Sequence, residues 1–159
     1  PLGAPQDFAV YDTAVEVKAQ SGSSKPYIQI SSLEQMEAQL PDFYLIVNTL
    51  ATIDPEHDEA FSLNSLIADI RNELSTTDDM TRELFESLIF QVGYIQLEHY
   101  DTPSYRCVAS RTFYVSDDFP RLMVSNVPNG ITKASYQISL DSCMPFEKEL
   151  IFSQTGGEQ

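Results

Sequence analysis

Asp7-Phe8-Ala9-Val10-Tyr11-Asp12-Thr13-Ala14-Val15-Glu16-Val17-Lys18 is the stretch on which the reading of this chain turns. Phe8–Tyr11 and Ala14–Ala19 are two short runs of extended character on either side of Asp12-Thr13, the pattern of a β-hairpin. A two-residue loop at Asp12-Thr13 sets Tyr11 opposite Ala14, Ala9 opposite Glu16 and Asp7 opposite Lys18. Side chains alternate along each strand. Asp7, Glu16 and Lys18 then share one face, and Phe8, Val10, Val15 and Val17 share the other, facing a core. The result depends on parity, because a loop with an odd number of residues would turn Asp7 away.

Two carboxylates brought this close repel each other unless a cation joins them. Mg²⁺ suits the site, since it takes oxygen ligands from one or two carboxylates, water and substrate phosphate. A bound ion polarises a scissile phosphate and acidifies a water molecule. A neighbouring lysine orients that water or stabilises the charge that develops. The backbone carbonyl of Val17 is a further ligand candidate. The same residues also make an ordinary solvated hairpin face with a cross-strand ion pair. Glu16-Val17-Lys18 is nonetheless the only acid-x-lysine in a chain with lysines only at 18, 25, 133 and 148.

Outward from the hairpin, the residues at 21–26, Ser-Gly-Ser-Ser-Lys-Pro, read as a flexible loop and Tyr27–Ile30 as a strand. Ser31-Ser32 followed by Glu34-Gln35 reads as a capping box that opens a helix to about Gln39, which Pro41 ends. Phe43–Ala51 is a continuous apolar run and predicts a central buried strand. Ser62 caps an amphipathic helix with Leu63, Leu66, Ile67, Ile70 and Leu74 on its core stripe. A second helix runs from about Asp79 to Val92, with Leu84, Phe85, Leu88, Ile89 and Val92 as its stripe and Gly93 as its C-cap. Tyr105–Ser116 and Lys133–Leu140 predict strands, and Asp141 or Ser142 caps a terminal helix through Glu149. The element order is β-β-β-α-β-α-α-β-β-α, a mixed α/β core with a helical insertion or flank.

Three groups of segments carry a resemblance. Ala4-Pro5-Gln6-Asp7-Phe8, Val15-Glu16-Val17-Lys18 and Ile30-Ser31-Ser32-Leu33-Glu34-Gln35 resemble the PD-(D/E)XK motif proteins encoded in bacterial phage-defence and restriction clusters. So do Phe113–Leu122 and the β-rich segment that ends at Asp141-Ser142-Cys143. The similarity spans essentially the whole chain, in order. The first motif has one residue, Gln6, between Pro5 and Asp7. The resemblance implies a restriction-endonuclease-like α/β fold: a mixed β-sheet core flanked by helices, with a C-terminal β-rich part. It implies cleavage of DNA with Mg²⁺, or Mn²⁺ as a substitute. Asp7, Glu16 and Lys18 match the catalytic positions, with Asp7, Glu16 and the Val17 carbonyl on the metal. Gln29 and Ser31, just beyond the hairpin, are auxiliary polar candidates. Other subunits of a defence or restriction complex are implied partners, and an oligomer is compatible with the reading.

Length and composition set bounds on these readings. The chain has 159 residues and suits one nuclease-like domain, read as the C-terminal part of a longer protein. Pro1-Leu2-Gly3 fits a protease-site scar from an expression tag as well as native sequence, and Gln154–Gln159 reads as a flexible tail. No apolar stretch approaches the roughly 20 residues of a membrane-spanning helix, and a cytoplasmic location is expected. Cys107 and Cys143 lack metal-ligand spacing and read as two buried free thiols. His57 and His99 read as exposed loop histidines, and Asp117-Asp118 as a turn. Arg106, Arg111 and Arg121 read as scattered surface arginines rather than a basic patch.

Net charge is −15, from 24 acids against 9 bases. A field of that sign opposes long-range attraction of DNA. The rival to a Mg²⁺-dependent DNA endonuclease is therefore a non-catalytic acidic interaction module. Such a module docks on a basic partner or mimics DNA.

Overall fold

The computed structural model describes residues 5–22 and 26–152. Pro1-Leu2-Gly3, loop residues Ser23 to Lys25, and the tail Gln154–Gln159 lie outside the described residues. The chain divides into two compact units, Pro1–Leu50 with Cys107–Gln159, and Ala51–Arg106.

The first unit is built on a four-stranded mixed sheet. Its strands are β1 (Phe8–Val10), β2 (Thr13–Ser21), β4 (Asp42–Ile53) and β5 (Ser104–Tyr114), in the order β1-β2-β4-β5. β1 pairs antiparallel with β2, and β2 runs parallel to β4 from Thr13↔Asp42 to Ser21↔Leu50. β3 (Tyr27–Ile30) and β6 (Tyr136–Ser139) form a separate antiparallel ribbon. Ala14 of β2 and Phe43, Leu45 and Val47 of β4 face a core shared with Ile28, Ile30, Met36, Phe113, Ile138 and Leu140. Each fully buried large apolar side chain here stabilises the fold by about 1.5–3 kcal/mol. The expected buried strand at Phe43–Ala51 is β4, which lies inside the sheet. The architecture is mixed α/β and consistent with a restriction-endonuclease-like core.

The hairpin differs from its expected register by two residues. The observed pairs are Phe8↔Val15, Ala9↔Ala14 and Val10↔Thr13, so the loop is Tyr11-Asp12 rather than Asp12-Thr13. Tyr11 takes φ +52, the positive value that a two-residue hairpin loop demands. The loop is still even, so the parity argument holds, and continuing the count brings Asp7 opposite Glu16 instead of Lys18. A second expectation holds only in part. On that face Val15 is 3% exposed, but Phe8 is 57% and Val10 37% exposed, so it is covered along β2 and open along β1. The face of Glu16 is the one continuous with the core, because Ala14 precedes it on that face and Leu45 is its partner on β4.

Other expectations are shortened. The helix expected to about Gln39 is one 3-10 turn, Glu34–Met36, with no side-chain cap. The strand expected over Lys133–Leu140 is limited to β6. The terminal helix is α3 (Leu140–Cys143) followed by a 3-10 turn at Met144–Phe146, where Pro145 cannot donate an α-helical hydrogen bond. Cys143 is buried and its thiol is pushed up to about 11 by desolvation, whereas Cys107 is exposed, against expectation.

The second unit carries α1 (Leu63–Leu74) and α2 (Asp79–Gln91). Ser62 caps α1 through a reciprocal box with Ser65, and Asp78 caps α2 through Thr81. Arg71 grips Glu86 with two bonds of 2.7 and 2.9 Å, which ties the helices together. Buried Asn64 donates to Leu97 O and Asp101 Oδ1 and accepts from the Tyr94 hydroxyl. The helical stripes are less buried than their periodicity predicts. Only Ile67 and Asn64 are buried on α1, and no residue of α2 is. Among the described residues, no helix is long and apolar enough to cross a membrane.

Candidate metal centre on the β1–β2 hairpin

β2 sets the site. Glu16 and Lys18 are two residues apart on one strand and project from the same face. Lys18 Nζ lies 2.6 Å from Glu16 Oε1. Glu16 is only 1% exposed, and Lys18 is the cation that offsets its burial. Burial is the largest influence on Glu16 and raises its carboxyl above the usual range. The Lys18 hydrogen bond and charge pull it back, and the nearby Asp7 charge pushes it up again.

Asp7 enters from the chain just before β1. Its Oδ2 accepts the Val17 N–H at 2.8 Å. That bond holds the carboxylate across the strand where the β1 ladder has ended. The N–H and C=O of one strand residue leave the backbone on the same side. The Val17 carbonyl therefore faces the edge where Asp7 sits. Asp7, Glu16, Val17 and Lys18 thus converge, as the even loop requires.

A divalent ion fits this set on one specific ground. Glu16 Oε2 is buried and makes no hydrogen bond of normal geometry, the Asp7 backbone N–H being the weakest influence on the carboxylate. An ionised oxygen left so weakly bonded is costly inside a protein, and a cation beside it would supply the missing interaction. Among the described residues, no group of three or more His, Cys, Asp or Glu side chains could hold a metal. The donors on offer would instead be two carboxylates and a carbonyl, a set that suits Mg²⁺, an ion that keeps several waters.

The auxiliary candidates are placed differently. Gln29 is turned to the β3–β6 ribbon, where its Nε2 donates to Ser135 Oγ, Tyr136 O and Ile30 O. Ser31 takes part through its backbone alone, donating N–H to Gln35 Oε1 at 2.9 Å. The residue that meets the site is Gln35. Its Oε1 also accepts from Lys18 Nζ at 3.2 Å. Gln6 anchors the same turn, donating from Nε2 to Glu34 O at 2.8 Å and to Gln35 O at 3.4 Å. The residue between Pro5 and Asp7 is thus a tether. Neither glutamine stands out by spacing, because the contact depends on a one-turn helix where the sequence predicts a longer one.

The arginines of each unit are paired locally. All five arginines sit against an acid: Arg71 with Glu86, Arg82 with Asp79, Arg106 with Glu59, Arg111 with Glu147 and Arg121 with Asp117. Arg106, Arg111 and Arg121 therefore each answer a local carboxylate.

A mixed sheet that presents two acids and a lysine on one hairpin is consistent with a nuclease-like class. The chain belongs to the family described as "Putative PD-(D/E)XK family member, (DUF4420)", whose model matches residues 1–141. No curated protein and no solved structure matches the chain. PD-(D/E)XK nucleases act on DNA and typically use divalent metals.

Proposed function

We propose that this chain is the Mg²⁺-dependent DNA endonuclease domain of a bacterial restriction or anti-phage defence system. The observation that carries the reading is the buried Glu16 carboxylate, with one oxygen on Lys18 and the other without a hydrogen bond of normal geometry, beside Asp7. Asp7, Glu16 and the Val17 carbonyl would hold the ion. When bound, the ion supplies Lewis-acid polarisation of the phosphate and a more acidic water. Lys18 brings a positive charge and hydrogen-bond donors to the same face, where they stabilise charge developing on the phosphate. Gln35 fixes the direction of that ammonium group. The defence context rests on the resemblance carried by the motifs around Asp7, Glu16 and Ile30–Gln35.

Nicking of supercoiled plasmid with Mg²⁺ or Mn²⁺, together with titration calorimetry of both ions, tests the reading. Wild type nicks and binds. Lys18→Ala loses nicking, and Asp7→Ala and Glu16→Gln lose ion binding. Equal ion binding by all of these proteins would sink the assignment of the site.

The second reading is an acidic interaction module that docks on a basic subunit. Its support is the net charge of −15 and the pairing of all five arginines with acids. Ion binding without nicking, combined with a salt-sensitive complex with a basic subunit, would favour it.

A further inference from the structure

Beyond Lys18 the same face of β2 leads into a cleft of about 530 Å³. Lys18 and Gln20 form one wall, and Tyr27, Gln29 and Gln137 on the β3–β6 ribbon form another. Its volume is within the range of about 300–1,000 Å³ usual for ligand sites. Gln20 follows Lys18 by two strand positions, about 6.6 Å. The cleft therefore opens immediately beside the candidate metal centre.

The lining chemistry is distinctive. Among the described residues lining the cleft, Lys18 is the only charged one. Lys18 is turned to Glu16 and Gln35 at the candidate metal centre, so its charge serves a phosphate there rather than a second one deeper in the cleft. The remaining polar side chains are uncharged, the amides of Gln20, Gln29 and Gln137 and the hydroxyls of Ser21 and Tyr27. Gln29 and Gln137 are Cα partners across the ribbon and lie on its exposed face. Three acceptors hold the Gln29 NH₂, which leaves its Oε1 as a fixed acceptor. Gln20 Nε2 is spent on Thr49 Oγ1, while its Oε1 has no partner. Tyr27 is 44% exposed, with an aromatic ring available at the rim.

An aromatic ring with fixed amides is the chemistry that stacks on a planar heterocycle and hydrogen-bonds its edge. We propose that this cleft is a nucleobase subsite. It takes one unpaired base next to the phosphate that would meet the ion held by Asp7 and Glu16, with Tyr27 against the base face and Gln29 and Gln137 along its edge. This rests on the nuclease reading and narrows it to substrates with an unstacked or single-stranded nucleotide at the site. A paired, stacked base offers neither its face nor its Watson–Crick edge.

The test uses the full chain with Ca²⁺ in place of Mg²⁺ and a single-stranded oligonucleotide containing 2-aminopurine. The protein has no tryptophan to interfere with that fluorophore. Binding is expected to quench the fluorophore, and a fully paired duplex competes at least ten-fold more weakly. Tyr27→Ala removes the quenching and weakens binding five-fold or more, whereas Tyr27→Phe retains both. Gln137→Ala, at an exposed position, weakens binding two- to five-fold and covers the case in which Tyr27→Ala does not fold. The thermal shift with Mn²⁺ is the same in all of these proteins. Unchanged oligonucleotide binding in both Tyr27→Ala and Gln137→Ala would overturn the subsite. No oligonucleotide binding alongside an intact Mn²⁺ shift would overturn it as well, while leaving the metal centre standing. Loss of the Mn²⁺ shift in wild type would count against the metal centre instead.

Discussion

Glu16 is buried on the core side of the sheet, and its carboxyl sits above the ordinary value of 4.5. An acid raised by folding favours the folded state below its unfolded value. That contribution is lost as pH rises through the folded value. In the metal-free protein Glu16 therefore becomes a growing liability from about pH 4.5 upward. A divalent ion reverses the balance, because it binds the ionised form. The thermal shift produced by Mg²⁺ or Mn²⁺ should be larger at pH 8 than at pH 5 in wild type, and absent in Glu16→Gln at both. At a hundred times Kd the ion adds about 2.7 kcal/mol of stability. Gln35 makes the second residue-scale case. Gln35→Ala removes an acceptor from a partly buried ammonium group, a loss of about 1.5–3 kcal/mol. Urea unfolding would measure it, and Gln35→Glu should recover most of it.

At the scale of elements, the hairpin turn is the strained part. Tyr11 holds φ +52 although its side chain is 62% exposed and packs little. Asn tolerates that region better than Tyr. Tyr11→Asn should raise stability by about 0.5–1 kcal/mol in urea unfolding, with the Mn²⁺ shift unchanged. The boundaries of α1, α2 and β4 were legible in the sequence because they rest on local chemistry. Ser62 is a side-chain cap read directly from residue type, and Gly93, read as the C-cap, takes φ +86 just beyond the end of α2. Phe43–Ala51 announced β4 by its unbroken apolar run. The Asp7–Glu16–Lys18 face was legible because strand parity tolerates a shift of two. Its exact register was not, since Tyr11-Asp12 and Asp12-Thr13 are both even loops. The extent of burial was least legible. Periodicity marks a stripe on α2 but cannot say how much protein covers it, and Leu84 on that stripe is 57% exposed. Gln35 was missed for a related reason, because its contact depends on how the chain returns from β3.

For the whole molecule, charge is the governing quantity. With 24 acids and 9 bases, self-repulsion opposes compaction, and exposed ion pairs offset little of it. Raising NaCl from about 10 to 150 mM shortens the screening length from about 30 to 8 Å. Melting temperature should rise over that interval, and Mg²⁺ should add to it at matched ionic strength. A melting temperature that falls with NaCl would mean that the ion pairs outweigh the repulsion. The parallel pairing of β2 with β4 has a temporal consequence. Asp7, Glu16 and Lys18 belong to one hairpin, which local closure can assemble on the scale of microseconds. Leu45 and the Gln35 turn reach them only after a crossover has formed, and such non-local pairing is slow. The acids can thus gather while still hydrated, and the loss of water around Glu16 comes late. An ion present during refolding would meet its ligands before the interior closes over them.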